Sequence, residues 1–251
     1  MTGAPADSGI QVVRRVAEVL QLLNDGRTEL TTSDVAEALS LSRSTAHRYL
    51  VSMAAEGLLE RDPARAAFRA GPLLVRFWTS PLGREHVIEL ARVYMHRLTE
   101  ELHETSVVSL WGGTSPVVAA CRTDTTRQSH VAVRPGSRLP LTSAQGEVFL
   151  AMMRDRTVAD RLMAEEPLEL RQEMDARLQR IRDQGIAVRD GVVDGMRTLA
   201  APVLDERGDI IATLAIVGTM PALPNTEDST AARALIDTAA RLSGRLAHRR
   251  M

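Results

Sequence analysis

The sequence predicts an α+β chain, and three observations predict it. Apolar residues recur at helical spacing through the N-terminal part of the chain. From Thr105 onward short apolar runs alternate with turn residues at strand length. Between them, residues 30–61, LTTSDVAEALSLSRSTAHRYLVSMAAEGLLER, read as two short helices, a tight turn and a strand.

In chain order, residues 1–9 are small and polar and are expected to be disordered. Gln11 to Leu23 carries apolar residues at 12, 13, 16, 19, 20 and 23, a helical stripe stopped by Asn24-Asp25-Gly26. Thr31-x-x-Asp34 is an acidic variant of the capping box, so a second helix starts near Thr32 with Val35, Ala36 and Leu39 on one face. Leu41 is placed to plug the angle between helices. Ser42 is placed to cap the next one. That helix, about Arg43 to Glu56, buries Ala46, Leu50 and Met53 and ends at Gly57. Leu58 to Arg61 and Ala67 to Arg69 flank an Asp62-Pro63 turn, which makes a hairpin.

A helix whose exposed N-terminal half offers Ser42, Arg43, Ser44, Thr45, His47 and Arg48 suits phosphate oxygens and base edges. One helix crossing the backbone and the next entering the major groove is the helix-turn-helix arrangement. The hairpin is then a wing, with Arg61, Arg65 and Arg69 available for phosphates. An ordinary helical hairpin in a core is the plainer reading, but it does not account for hydroxyls and arginines at the helix start. Solvated surface is the plainer reading for the three wing arginines.

Ser80-Pro81-Leu82-Gly83 marks a boundary, followed by an amphipathic linker helix from about Arg84 to His103. Residues 1–80 form the first domain, 81–103 the linker and 104–251 the second domain. In the latter, Val107 to Trp111, Val117 to Cys121 and His130 to Val133 read as strands, and Ala144 to Arg154 as a helix. Residues 156–184 read as helices around Glu166-Pro167. Ile186 to Arg189, Leu199 to Leu204 and Ile210 to Val217 return to strand, and Asp228 to Arg249 closes as a helix. A mixed sheet with helices on its faces is expected.

Composition narrows the function. The net charge is −1, and all 31 basic residues are arginine. Residues 1–75 hold eight arginines against nine acids, so DNA contact depends on local placement rather than bulk charge. That disfavours an architectural nucleoid protein. The single Cys121 excludes an internal disulfide and a multi-cysteine zinc site. No signal pattern and no membrane-length apolar run occurs, so a cytoplasmic protein without membrane contact is expected. P-loop, nucleophile-elbow, HExxH and dinucleotide motifs are absent, and the six histidines are scattered. No catalytic residue, metal site or cofactor is assigned. A small-molecule enzyme using the second domain is the alternative reading, and it has no motif behind it.

Four segments, SLSRSTAHRYLVSMAAEGLLERDP, GSRLPLTSAQGEVFLA, GIAVRD and GMRTLAAPVLDERGDIIATLAIVG, together resemble the IclR family of bacterial transcription regulators. The resemblance implies a winged-helix DNA-binding domain, a linker helix and a GAF-like effector-binding domain. It further implies double-stranded operator DNA and a small-molecule effector as partners, assembly as a homodimer or homotetramer, and repressor or activator action. It places the effector against Leu139, Ser143, Ala144, Gln145, Gly146, Arg189 or Asp190, Met196, Thr198, Ala215 and Val217. Val131 adds apolar surface. This chain has Thr198 where many members have cysteine, and Ala215 and Val217 where they have serines. Its wing lacks the usual glycine near Ala66. Loss of those serines favours an organic acid with an apolar or aromatic body over a two- or three-carbon keto acid.

Overall fold

The computed structural model describes residues 10–24, 27–78, 85–126, 133–164, 168–191, 195–224 and 229–247. The segments expected as a disordered start, the Ser80 to Gly83 boundary, residues 130–132 of the expected His130 to Val133 strand and the Glu166-Pro167 break lie outside the described residues, and Val133 itself is not in a strand. The chain divides into two units, residues 1–85 and 86–251.

The first unit holds α1 (Gln11–Asn24), β1 (Leu30–Thr31), α2 (Thr32–Ala38), α3 (Arg43–Ala55), β2 (Leu59–Asp62), β3 (Ala67–Ala70) and α4 (Pro72–Trp78). The capping box is complete: Thr31 Oγ1 accepts the Asp34 amide at 3.2 Å, and Asp34 Oδ2 accepts the Thr31 amide at 2.8 Å. That bond from the Thr31 amide is the main reason the Asp34 carboxyl titrates below its usual range. Val19, Leu30, Val35, Ala46, Leu50, Met53, Leu59 and Phe68 bury together, so one face of each helix meets the strands. Gly57, at φ 73°, takes the left-handed turn that stops α3. Ala66 takes φ 50° in the wing turn, where a glycine would be unstrained. Two elements go beyond the sequence reading. β1 pairs antiparallel with β3 to give a three-stranded sheet, order β1-β3-β2, and α4 opens on Pro72, a residue suited to a first helical turn.

The second unit holds α5 (Glu85–Leu102), β4 (Thr105–Trp111), β5 (Pro116–Arg122), α6 (Ala144–Met152), α7 (Arg156–Met163), α8 (Leu168–Gln184), β6 (Ala187–Asp190), β7 (Met196–Leu204), β8 (Ile210–Thr219) and α9 (Thr230–Ala247). Its sheet runs β5-β4-β8-β7-β6. Every neighbouring pair is antiparallel, which corrects the expected mixed sheet. Helices between strands are compatible with parallel crossovers. Here α6 to α8 instead carry the chain from β5 at one edge to β6 at the other, while short turns join β4 to β5 and β7 to β8.

Strand alternation assigns two cores. Val108, Leu199, Leu214 and Ile216 face α5 and α9. Val107, Ala200, Ala215 and Val217 face α6 and α8. The helix read as a linker buries Val87, Ile88, Ala91, Met95 and Leu98 in the first of these cores. The second core borders a cavity.

Candidate functional site

The polar start of α3 is built by its cap. Ser42 Oγ accepts the Thr45 amide at 3.2 Å and donates to Thr45 Oγ1 at 2.8 Å, while the Ser42 and Ser44 hydroxyls lie 3.0 Å apart. Arg43 reaches back to α2, its Nη2 donating to Ser33 Oγ at 2.6 Å. Ser42, Arg43, Ser44, His47 and Arg48 are exposed and Thr45 is half-buried, so the six form one solvent-facing surface. Arg48 also borders a shallow groove with Val12, Val16 and Tyr49, between α1 and α3.

The wing arginines differ among themselves. Arg65 pairs with Glu29 at 2.6 Å, and Arg69 with Glu60 at 3.3 Å; the Glu60 carboxylate stabilises the charged guanidinium of Arg69. Arg61 is exposed and takes no ion pair among the described residues. Exposed pairs of this kind are worth about 0–1 kcal/mol, so a phosphate can displace Glu29 or Glu60 at small cost.

In the second unit a cavity of about 340 Å³ opens where the loop before α6, the first turn of α6 and the ends of β6, β7 and β8 meet. Of the residues assigned to an effector, Leu139, Ser143, Ala144, Gln145, Arg189, Asp190, Met196, Thr198 and Val217 line it. Arg189 and Asp190, alternatives in the sequence, both reach it. Gly146 and Ala215 do not. A Cβ on Gly146 would lie 2.4 Å from the Leu141 carbonyl oxygen and 2.5 Å from that of Pro140, so this glycine lets α6 pack under the loop. Ala215 pairs across strands with Val107 and Ala200 and is fully buried in the sheet. Val131 lies outside the described residues. Val107, Val133, Pro140, Thr142 and Gly191 line the cavity without having been assigned. Pro140 and Thr142 flank assigned neighbours. Val107 required knowledge that β4 lies beside β8.

Three of the polar side chains at the wall already have hydrogen-bond partners. Ser143 Oγ donates to the Pro140 carbonyl at 2.7 Å and accepts the Gly146 amide at 3.1 Å. Gln145 accepts from Thr213 Oγ1 at 2.8 Å. Asp190 accepts from Arg197 at 2.7 Å, and Arg197 also donates to the Leu223 carbonyl. The amides of Ala144 and Gln145 belong to the first turn of α6, where helix geometry supplies no acceptor.

Beside the wall, Glu147 is 1% exposed and accepts from Arg177 Nε at 2.9 Å; Arg189 Nε lies 3.4 Å from the same oxygen. Burial raises the Glu147 carboxyl's pKa, and the charges of Arg189 and Arg177 oppose that rise.

Elsewhere, Cys121 is half-buried with Sγ donating to the Val133 carbonyl. His96 meets Glu100, and His103 meets Asp124. Hydrogen bonds from Thr126, with His103 adding to them, hold the Asp124 carboxyl at about 2. No cluster of three metal-ligating side chains occurs among the described residues, and none of their helices is long and apolar enough to cross a membrane.

Two family models match the chain: IclR helix-turn-helix domain over residues 12–63, and Bacterial transcriptional regulator IclR C-terminal over residues 79–244. Among similar proteins, HTH-type transcriptional regulator BhcR of Paracoccus denitrificans is 29% identical over 258 residues, covering 99% of this chain and 91% of that one. The crystal structure of Pseudomonas aeruginosa HmgR aligns with TM-score 0.72 and 29% identity, over 95% of this chain and 100% of that one. An IclR homolog from Microbacterium hydrocarbonoxydans, complexed with 4-hydroxybenzoate, aligns with TM-score 0.75 over 94% of this chain and 98% of its own. At 22% identity it shows the fold.

Proposed function

The chain belongs to the IclR family of DNA-binding transcription regulators, and from that premise we propose that a small organic acid in the second unit controls how tightly the first unit holds operator DNA. One observation carries the proposal: a 340 Å³ cavity with a largely apolar wall and an arginine at its edge, within the IclR C-terminal match. Leu139, Val133, Val107, Met196 and Val217 supply the apolar wall. An aromatic ring burying about 150 Å² against it would gain about 4 kcal/mol. A two-carbon acid would forgo most of that. The 4-hydroxybenzoate bound to the Microbacterium relative has the size and polarity this reading favours.

The two-state logic limits the mechanism. The acid changes operator affinity only by binding one conformation of the chain more tightly than the other. The DNA surface is Ser42, Arg43, Ser44, Thr45, His47 and Arg48 in the major groove, with Arg61, Arg65 and Arg69 on phosphates. A two-fold operator needs two such heads about 34 Å apart or a multiple of that, which requires at least a dimer. The exposed Ile10, Val12 and Val13 at the start of α1 offer apolar surface for that assembly. Regulation of a catabolic operon fits an organic-acid signal.

Calorimetry of the full chain against 4-hydroxybenzoate and against pyruvate tests the ligand class, repeated with Thr198→Trp to fill the cavity. Binding of the aromatic acid that the tryptophan abolishes is expected. Tight pyruvate binding, or aromatic binding indifferent to the tryptophan, contradicts the proposal.

A further inference from the structure

We propose that Arg189 is the charge-selecting residue of the cavity, and that Glu147 is the positioning residue which holds it and competes with the ligand for it. The inference rests on the ligand reading above and adds the residue that decides between an acid and its neutral analogue.

Counting charges at the wall leads there. Asp190 is matched by Arg197, a pair 2.7 Å apart whose arginine also binds the Leu223 carbonyl, so that pair contributes no net charge. Glu147 sits between two arginines. Arg177 Nε is aligned on it as a hydrogen bond at 2.9 Å. Arg189 Nε approaches the same oxygen at 3.4 Å but makes no hydrogen bond there, and this buried nitrogen has no hydrogen-bond partner at all among the described residues. Arg177 also reaches Glu173 at 3.5 Å, so it has a second carboxylate, whereas Arg189 has only the shared one and no hydrogen bond to it. The loosely held partner is the arginine on the cavity wall, with about a third of its side chain accessible.

A guanidinium whose buried nitrogen lacks a hydrogen-bond partner is costly beside a largely apolar cavity, and an anion entering that cavity relieves the cost. Guanidinium presents donors in a fixed fork that fits a carboxylate with two parallel bonds. Glu147 accepts from Arg177 and crowds Arg189, so it fixes where the fork stands while weakening its net field. Removing the charge of Glu147 but keeping an acceptor for Arg177 should therefore strengthen anion binding.

The test uses the full chain and matched pairs of probes: benzoate with benzamide, and 4-hydroxybenzoate with 4-hydroxybenzamide, by calorimetry at fixed ionic strength. In the wild type the acid should bind at least tenfold more tightly than its amide. Arg189→Gln should cut acid binding tenfold or more and leave the amide unchanged, which also shows that the cavity is intact. Arg189→Lys should recover part of the preference. Glu147→Gln should tighten the acid threefold or more without moving the amide. Acid and amide binding equally in the wild type, or a preference untouched by Arg189→Gln, overturns the proposal while leaving the cavity reading standing. Loss of both probes in Glu147→Gln with unchanged melting overturns the role given to Glu147. If no probe of either charge binds the wild type, the ligand reading fails first and this proposal with it.

Discussion

Arg43 and Ser33 are joined by a 2.6 Å hydrogen bond, which ties the first residue of α3 to α2. Entering the groove therefore asks Arg43 to exchange a serine hydroxyl for a base edge or phosphate, whereas Arg48 has no ion pair among the described residues to give up. A lost base contact costs about 1–3 kcal/mol. Arg48→Ala and Arg43→Ala should each weaken operator binding by about that much at fixed salt. Ser33→Ala, which frees Arg43, should change it little. Wild-type affinity and selectivity in both arginine variants would remove α3 from the groove.

The wing makes a separate prediction through salt. A phosphate contact contributes close to one unit of slope in log affinity against log salt. Arg61→Ala should lower that slope by about one without altering sequence preference. Arg65→Ala and Arg69→Ala should lower it less, because each guanidinium must first leave Glu29 or Glu60. Equal effects from all three, or none, would contradict the ranking.

The capping box predicts a pH signature. The Asp34 carboxyl is depressed by its bonds to Thr31, so its stabilisation is present above the unfolded value of 3.8 and is lost as pH falls through the lower folded value. Thr31→Ala should cost about 1 kcal/mol near neutral pH. The gap between wild type and Asp34→Asn should narrow in acid. A gap that widens below pH 4 would reverse the sign of this account.

Assembly is tested at α1. Val12 is 56% exposed and Val13 64%, large values for valines on a helix whose Val19 is fully buried. Sedimentation should show a dimer or larger assembly at micromolar concentration, and Val12→Glu with Val13→Glu should weaken it. A wild-type monomer on and off DNA would rule the proposal out.

How much was legible in the sequence follows from how local each signal is. Ala46, Leu50 and Met53 at helical spacing, Ser42 as cap and Gly57 as stop are set within a turn or two, and α3 formed as read. β1 is two residues long and owes its existence to pairing with β3, which no short window reveals. The sheet's antiparallel order depends on which strands become neighbours, and helices between strands give a misleading hint of crossovers. At the cavity, Leu139, Arg189 and Thr198 were legible because the family resemblance placed them. Gly146 and Ala215 do not line the cavity because both are consumed by packing, one under the Pro140 carbonyl and one inside the sheet. The Glu147 cluster was invisible: its members are 30 and 42 positions away in the chain, and only folding brings Arg177 and Arg189 to one carboxylate.

If α3 reads DNA sequence as proposed, selection from a library of randomised double-stranded DNA will reveal the sequence it prefers. The full-length chain should enrich a two-fold symmetric sequence with half-sites a whole number of helical turns apart. Arg48→Ala should enrich a degenerate version of that sequence. Recovery of no common sequence by the wild type, or of the identical sequence by Arg48→Ala and Arg43→Ala, would contradict that proposal.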